Sequence, residues 1–182
     1  MIPRILIAGI GNILLQDDGL GPQAVAHLQS EYEFGDDVEL LDLGTPALDF
    51  VDYLREREAV LIIDALSGGG NPGEILTFDK EQLRTFLPNM RLSAHQPCLN
   101  ETLHAAEMAD IDLKEVLLLG VVGHSFNVGT GLGPEVSRAM PAVLSRVVEF
   151  AKRNKANVVK RPIPEPTAAW WEALPPVVSN ST

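Results

Sequence analysis

The chain has 182 residues, of which 46% are hydrophobic and only 5% aromatic, and its formal net charge is -11. This length suits one domain that buries a core without disulfides or a structural metal. A core of aliphatic side chains is typical of a parallel sheet covered by helices and disfavours an all-β sandwich. Because the negative charge repels phosphate backbones and anionic lipid surfaces, we expect neither a nucleic acid nor a membrane as partner.

The cysteine content and the apolar runs indicate a compartment. Cys98 is the only cysteine, which excludes an internal disulfide and favours the reducing cytoplasm. No apolar run approaches the roughly 20 residues that cross a bilayer. The short apolar run at the start lacks the length and the cleavage site of a signal peptide, so we interpret it as the first strand.

Apolar periodicity predicts strands that alternate with helices. The predicted strands cover 4–8, 38–41, 60–63, 74–78 (at a sheet edge) and 116–122, and the predicted helices cover 20–32, about 46–55, 97–109 and 132–155. This alternation implies an α/β fold of three layers, with a mostly parallel twisted sheet of about five strands and helices on both faces. Both tryptophans and five of the 13 prolines follow residue 160. We therefore predict a single domain over 1–160 and an extension over 161–182.

Carboxylates follow two of the predicted strands. Asp18 lies in the glycine-rich turn between the first strand and the first helix, and Asp64 directly follows the strand over 60–63. In the common strand order 2-1-3 the first and third strands are neighbours, so these two loops lie side by side at the carboxyl edge of the sheet. His95 needs only a loop to join them. Two carboxylates and an imidazole suit Ni²⁺ or Zn²⁺ with open positions for water or substrate, and they equally suit acid–base chemistry.

Each of these side chains also has a simpler interpretation. Asp18 could cap the first helix, and its neighbour Asp17 would then be a solvated acid. His95 could be a loop histidine bonded to backbone. Asp64 is harder to explain in this way, because a carboxylate beside a dry strand is costly unless it is paired or coordinated. The functional hypothesis therefore depends on the three residues together.

Two other residues could carry chemistry. Cys98 comes three residues after His95 and would permit a thiol–imidazole nucleophile, although a small buried residue is the favoured interpretation. His124 follows the strand over 116–122 at the same sheet edge, where a role near the site and a purely structural role are equally compatible with the sequence.

A dinucleotide site is the main alternative. Gly9-x-Gly11 resembles the start of the G-x-G-x-x-G fingerprint, but Leu14 stands where the third glycine belongs. The two adjacent aspartates would also repel a pyrophosphate at this helix start. Asp42 nevertheless ends the second strand, where a ribose-binding acid would lie, so a nucleotide-binding oxidoreductase stays open.

Taken in order, the motifs of this chain resemble those of the hydrogenase maturation proteases. The matching segments are Gly9-x-Gly11-Asn12, Asp17-Asp18-Gly19-x-Gly21, Asp42-x-Gly44-Thr45, Asp64-Ala65, His95-Gln96 and the helix start Gly131-Leu-Gly-Pro134-Glu-Val136. The resemblance runs from about Ile5 to Phe150. It implies an α/β fold of the phosphorylase/hydrolase-like kind.

The resemblance also implies a function. The family's enzymes are endopeptidases, classed as aspartic type, that remove a C-terminal extension from the precursor of the [NiFe] hydrogenase large subunit after nickel insertion. Asp18, Asp64 and His95 are then the catalytic, metal-contacting residues, and nickel comes with the precursor, although Zn²⁺ or Cd²⁺ could take its place in crystals. Asp42, Gly44 and Thr45 line the substrate cleft.

Two points stay open at the level of the sequence. The chain could be a non-catalytic nickel chaperone that binds the precursor without shortening it. The bond could be broken by water that a carboxylate activates, or through a metal that polarises the carbonyl. We also expect a monomer in the cytoplasm.

Overall fold

The computed structural model describes residues 3–46, 49–85, 96–166, 169 and 171. Its strands are β1 (Ile5–Ile10), β2 (Tyr32–Phe34), β3 (Val38–Gly44), β4 (Ala59–Leu66), β5 (Ile75–Asp79), β6 (Glu115–Val122) and β7 (Val158–Lys160). Its α-helices are α1 (Leu20–Glu31), α2 (Phe50–Tyr53), α3 (Lys80–Thr85), α4 (Gln96–Met108) and α5 (Pro134–Arg153). A 3₁₀ helix, Gln16–Gly19, joins β1 to α1.

Five of the described strands form one sheet in the order β3-β1-β4-β6-β5. The first four run parallel, and β5 runs antiparallel to β6 at one edge. The predicted three-layer α/β architecture is confirmed. The predicted strand order 2-1-3 is confirmed as well, because β1 lies between β3 and β4.

Two apolar cores cover the two faces of this sheet. On one face, which we call the α1/α5 face, Leu20 and Val143 pack against strand residues such as Ile63. On the other, the α2/α4 face, Phe50 and Leu99 pack against residues such as Ile62. Since neighbouring residues of a strand point to opposite faces, the buried strand β4 supplies both cores.

Gly21 lets α1 approach the ends of β1 and β4. A Cβ atom added at this position would lie 2.3 Å from the carbonyl oxygen of Ile10 and 2.7 Å from that of Ile63. These neighbours are backbone atoms, which cannot move aside as a flexible side chain can. The glycine therefore sets how closely the start of α1 lies against the carboxyl end of the sheet.

We expect Gly21→Ala to destabilise the protein by about 2–3 kcal/mol, because the methyl group overpacks a rigid contact. For a chain of this size that corresponds to a melting temperature about 5–10 °C lower. Gly68→Ala is the matched control, since a Cβ atom there meets nothing within 4 Å. Thermal unfolding followed by circular dichroism measures both, and equal melting temperatures would contradict the packing argument.

Several short elements differ from the sequence prediction. The helix predicted over about 46–55 is confined to α2, and residues 47 and 48 lie outside the described residues. The two-stranded ribbon of β2 and β7 was not predicted, because three-residue strands are too short to show a period of two. In the described part of the chain, no helix combines the length and the apolar character that a membrane span demands.

Candidate active site

Asp18 lies just past the end of β1, in the 3₁₀ helix, and is 3% exposed. Its Oδ2 accepts a hydrogen bond from the backbone N–H of Asn12, at 2.8 Å. The N-cap residue of α1 is Gly19, which has no side chain with which to cap the helix. The predicted helix-cap role of Asp18 is therefore wrong, since the chain makes a 3₁₀ turn before α1 begins and the carboxylate binds the loop that leaves β1.

Asp64 lies inside β4 and is 1% exposed. The ladder between β1 and β4 ends at the pair Gly9 and Ile63, whereas β4 continues beside β6 as far as Leu66. Asp64 is thus the first residue of β4 beyond the end of its neighbour β1. By strand alternation it points to the α2/α4 face, and its Oδ1 accepts the N–H of Ala65 at 2.9 Å.

The structure places both carboxylates at the carboxyl end of β1. The 3₁₀ helix that carries Asp18 packs against β4, the strand that carries Asp64. Gly21, three residues after Asp18, approaches the backbone of Ile63, one residue before Asp64. Two buried acids that are 46 positions apart in the sequence therefore share one edge of the sheet.

His95 lies outside the described residues, so its predicted place beside the two aspartates stays a prediction. The helix that follows it, α4, is described from Gln96, and Leu99 in its first turn packs on the α2/α4 face. Within the described residues, no group of three His, Cys, Asp or Glu side chains is placed to hold a metal ion.

The other two candidates have different outcomes. The side chain of Cys98 is outside the described part of the structure, so the thiol–imidazole hypothesis is not tested. His124 is exposed, and its backbone N–H donates to Oδ2 of Asp17 at 2.8 Å. The contact therefore gives the main chain of His124 a structural role, as a hydrogen-bond donor to the buried carboxylate of Asp17.

Asp17 is the residue that sequence reasoning assigned wrongly. It was expected to be solvated, but it is 0% exposed and accepts three backbone hydrogen bonds. The donors are His124 at 2.8 Å and Ser125 at 3.0 Å, both to Oδ2, and Gly133 at 2.6 Å to Oδ1. The carboxylate therefore ties the start of the site to the loop after β6 and to Gly133, the N-cap residue of α5. The sequence carries no signal for this, because the donors lie more than 100 positions away.

Asp42, Gly44 and Thr45 line a cleft beside Asp18. Gly44 adopts a φ of +55°, and its N–H donates to Oδ1 of Asp42 at 2.9 Å while its carbonyl accepts the N–H of Gly11 at 2.7 Å. The cleft has a volume of about 380 Å³, and its wall includes Asn12, the residue that binds Asp18. The three predicted cleft residues are thus in one wall, next to a candidate catalytic carboxylate.

A parallel α/β sheet with buried carboxylates and an open cleft at its carboxyl edge is the arrangement of an α/β enzyme. The comparisons with known proteins specify which kind. The family model of the hydrogenase maturation proteases, HycI, matches residues 22–150. This chain belongs to the hydrogenase maturation protease family. The resemblance inferred from the motifs is confirmed, and the alternative of a nucleotide-binding oxidoreductase is set aside.

Individual relatives agree with the family model over most of the chain. The hydrogenase expression/formation protein HupD of Thiocapsa roseopersicina is 30% identical over 174 residues, which cover 91% of this chain and 79% of that protein. The solved structure of the hydrogenase maturating endopeptidase HybD from Escherichia coli has a TM-score of 0.81 at 30% identity and covers 87% of this chain and 98% of its own. The [NiFe] hydrogenase maturation protease HybD from Thermococcus kodakarensis has a TM-score of 0.69 at 28% identity, with coverages of 81% and 99%.

Proposed function

We propose that this protein is an endopeptidase that removes the C-terminal extension of a [NiFe] hydrogenase large-subunit precursor once nickel has been inserted. The observation that carries the proposal is the pair of buried carboxylates, Asp18 and Asp64, at the end of β1 beside an open cleft. The family of the chain supplies the reaction, and the location of the pair in the fold supplies the site.

Asp18 and Asp64 are the proposed catalytic residues, with His95 as the third member. The order of the chain supports this assignment of His95, because α4 begins at the next residue and packs by Leu99 on the face to which Asp64 points. Oxygen and imidazole nitrogen ligands suit Ni²⁺, which arrives as part of the precursor. The carboxylates of Asp18 and Asp64 would serve as ligands toward that nickel and as a base toward water.

The cleft formed by Asp42, Gly44 and Thr45 is the proposed binding place of the precursor's C-terminal region. Its wall includes Asn12, whose backbone N–H donates to the carboxylate of Asp18. Asp42 and Thr45 are exposed there. A polypeptide in this cleft would lie against the loop that binds Asp18.

The test compares two precursors with the purified protein. We expect nickel-loaded large-subunit precursor to be shortened at its C-terminus and nickel-free precursor to stay intact, as measured by mass spectrometry of the intact chains. Binding of the loaded precursor without shortening would instead identify a nickel chaperone. Equal shortening of both forms would contradict the dependence on nickel. A monomeric enzyme and a cytoplasmic location remain predictions from the sequence.

A further inference from the structure

A groove runs along the outer edge of β3 toward the candidate active site. It consists of three adjoining hollows of about 400, 180 and 380 Å³. Gln29 is shared by the first two, and Asp42 and Trp171 are shared by the last two. The floor of the groove is α1. One wall is β3, and the other is formed by Arg161, Ala169 and Trp171. These three belong to the segment comprising residues 161–166, 169 and 171, which we call the C-terminal strap.

The C-terminal strap is held to the end of α1. The backbone N–H of Arg161 donates to the carbonyl of Glu31 at 2.8 Å, and that of Glu165 donates to the carbonyl of Ser30 at 3.0 Å. The hydroxyl of Ser30 donates in return to the carbonyl of Glu165. Six residues further on, Trp171 is half-buried and lines the hollow that contains Asn12 and Thr45. The extension predicted over 161–182 therefore reaches the candidate active site.

The outer edge of β3 offers main-chain groups to this groove. Among the described strands, β3 is the last one of the sheet on its side and pairs with β1 alone. The N–H of Ile5 in β1 donates to the carbonyl of Asp37, just before β3. Along a strand, the main-chain groups of every second residue face the same neighbour, so odd-numbered residues of β3 face β1. The N–H and C=O groups of Leu40 and Asp42 therefore point away from β1. Within the described part of the chain, these groups have no main-chain partner. Both residues line the groove.

We propose that an extended segment of the protein substrate docks in this groove as an additional strand on β3, and that Trp171 packs against it at the end that contains Asn12. The proposal rests on the function argued above, which makes the occupant a polypeptide. A free strand edge pairs with an extended chain through main-chain hydrogen bonds, and pockets beside the edge select its side chains. The groove is continuous with the cleft that contains Asn12, and the backbone N–H of Asn12 donates to the carboxylate of Asp18. A chain docked along the groove therefore runs toward the loop that binds Asp18.

Two substitutions test the groove without touching the carboxylates. Trp171→Ala removes the aromatic wall, and Ala26→Phe fills the middle hollow from the surface of α1. We expect each to lower kcat/KM for nickel-loaded precursor about tenfold through a higher KM, with kcat unchanged, because only docking is affected. Trp171→Phe should retain most of the wild-type value, since it keeps an aromatic wall.

Two control variants match these in position. Ile163→Ala truncates an apolar side chain of the same strap that is 79% exposed and lines none of the three hollows. His27→Phe places the same phenyl ring on the next residue of α1, which lines a different hollow. Wild-type kinetics in Trp171→Ala and Ala26→Phe would overturn the docking proposal. A wild-type protein that shortens no precursor would instead contradict the proposed function.

Hydrogen exchange tests the strand pairing directly. The probe is a synthetic peptide with the sequence of the precursor's C-terminal extension and the residues before it. We expect it to slow amide exchange at Leu40 and Asp42 at least tenfold, and a protein that ends after Trp171 should respond in the same way. Unchanged exchange would overturn the proposal. So would a tenfold higher kcat/KM in the shortened protein, because the groove would then be occupied by the end of the chain itself.

Discussion

Asp64→Asn is expected to lower the rate of precursor cleavage by about 10³-fold or more while the protein stays folded. Loss of a catalytic base alone removes about 10²–10⁴ in rate, and asparagine is also a poorer ligand for nickel than a carboxylate. The fold should tolerate the change, because the amide oxygen of asparagine can still accept the N–H of Ala65. The measurement is a cleavage time course under single-turnover conditions, followed by mass spectrometry.

The controls separate loss of chemistry from loss of structure. Asp112→Asn changes an exposed aspartate and should leave the rate unchanged. The melting temperature of Asp64→Asn should stay close to that of the wild type. Cleavage by Asp64→Asn at more than a tenth of the wild-type rate would remove this residue from the catalytic set.

Asp18→Asn should show a loss of similar size, and the double variant should be little worse than either single one. Residues that act as one unit are far from additive, because the first substitution already disables the site. Two independent losses that multiply would mean that Asp18 and Asp64 act in separate steps. The comparison therefore tests whether the shared location of the two acids is also a shared function.

The sequence predicted the parts of this fold that rest on long apolar runs. The strands β4 and β6 were found, because buried parallel strands are read from continuous aliphatic residues. The predicted ends of these strands differ from the observed ones by up to three residues. The largest difference is at the end of β4, which extends to Leu66 because it continues beside β6 after β1 has ended. As a result, Asp64 lies within a strand and not after it.

Sequence order predicted the place of the candidate site residues Asp18 and Asp64, whereas contacts between distant parts of the chain were missed. Asp18 follows the strand β1 and Asp64 lies near the carboxyl end of β4, so the topology brings them to the same edge. The burial of Asp17 depends on donors beyond position 120, and the approach of Trp171 depends on hydrogen bonds between the C-terminal strap and the end of α1. Neither kind of contact leaves a local pattern in the sequence.

Asp17→Ala is expected to destabilise the protein by about 4 kcal/mol, because three buried backbone N–H groups lose a charged acceptor at once. The melting temperature should fall by about 8–16 °C for a chain of this size. Gly133 is the cap of α5, so the substitution also removes a negative charge from the positive end of that helix. Asp36→Ala, at an exposed position, is the matched control and should leave the melting temperature unchanged.

Hydrogen exchange in variants of Asp17 and Asp18 tests the anchoring role of Asp17 directly. Asp17→Ala should speed hydrogen exchange at the amides of His124, Ser125 and Gly133, whereas Asp18→Asn should leave these three amides protected. The two variants then differ in their defects. Asp17→Ala loses stability and the order of the loop after β6, whereas Asp18→Asn loses cleavage rate. Unchanged protection in a folded Asp17→Ala protein would show that other contacts hold the loop after β6. The anchoring role of this buried carboxylate would then be wrong.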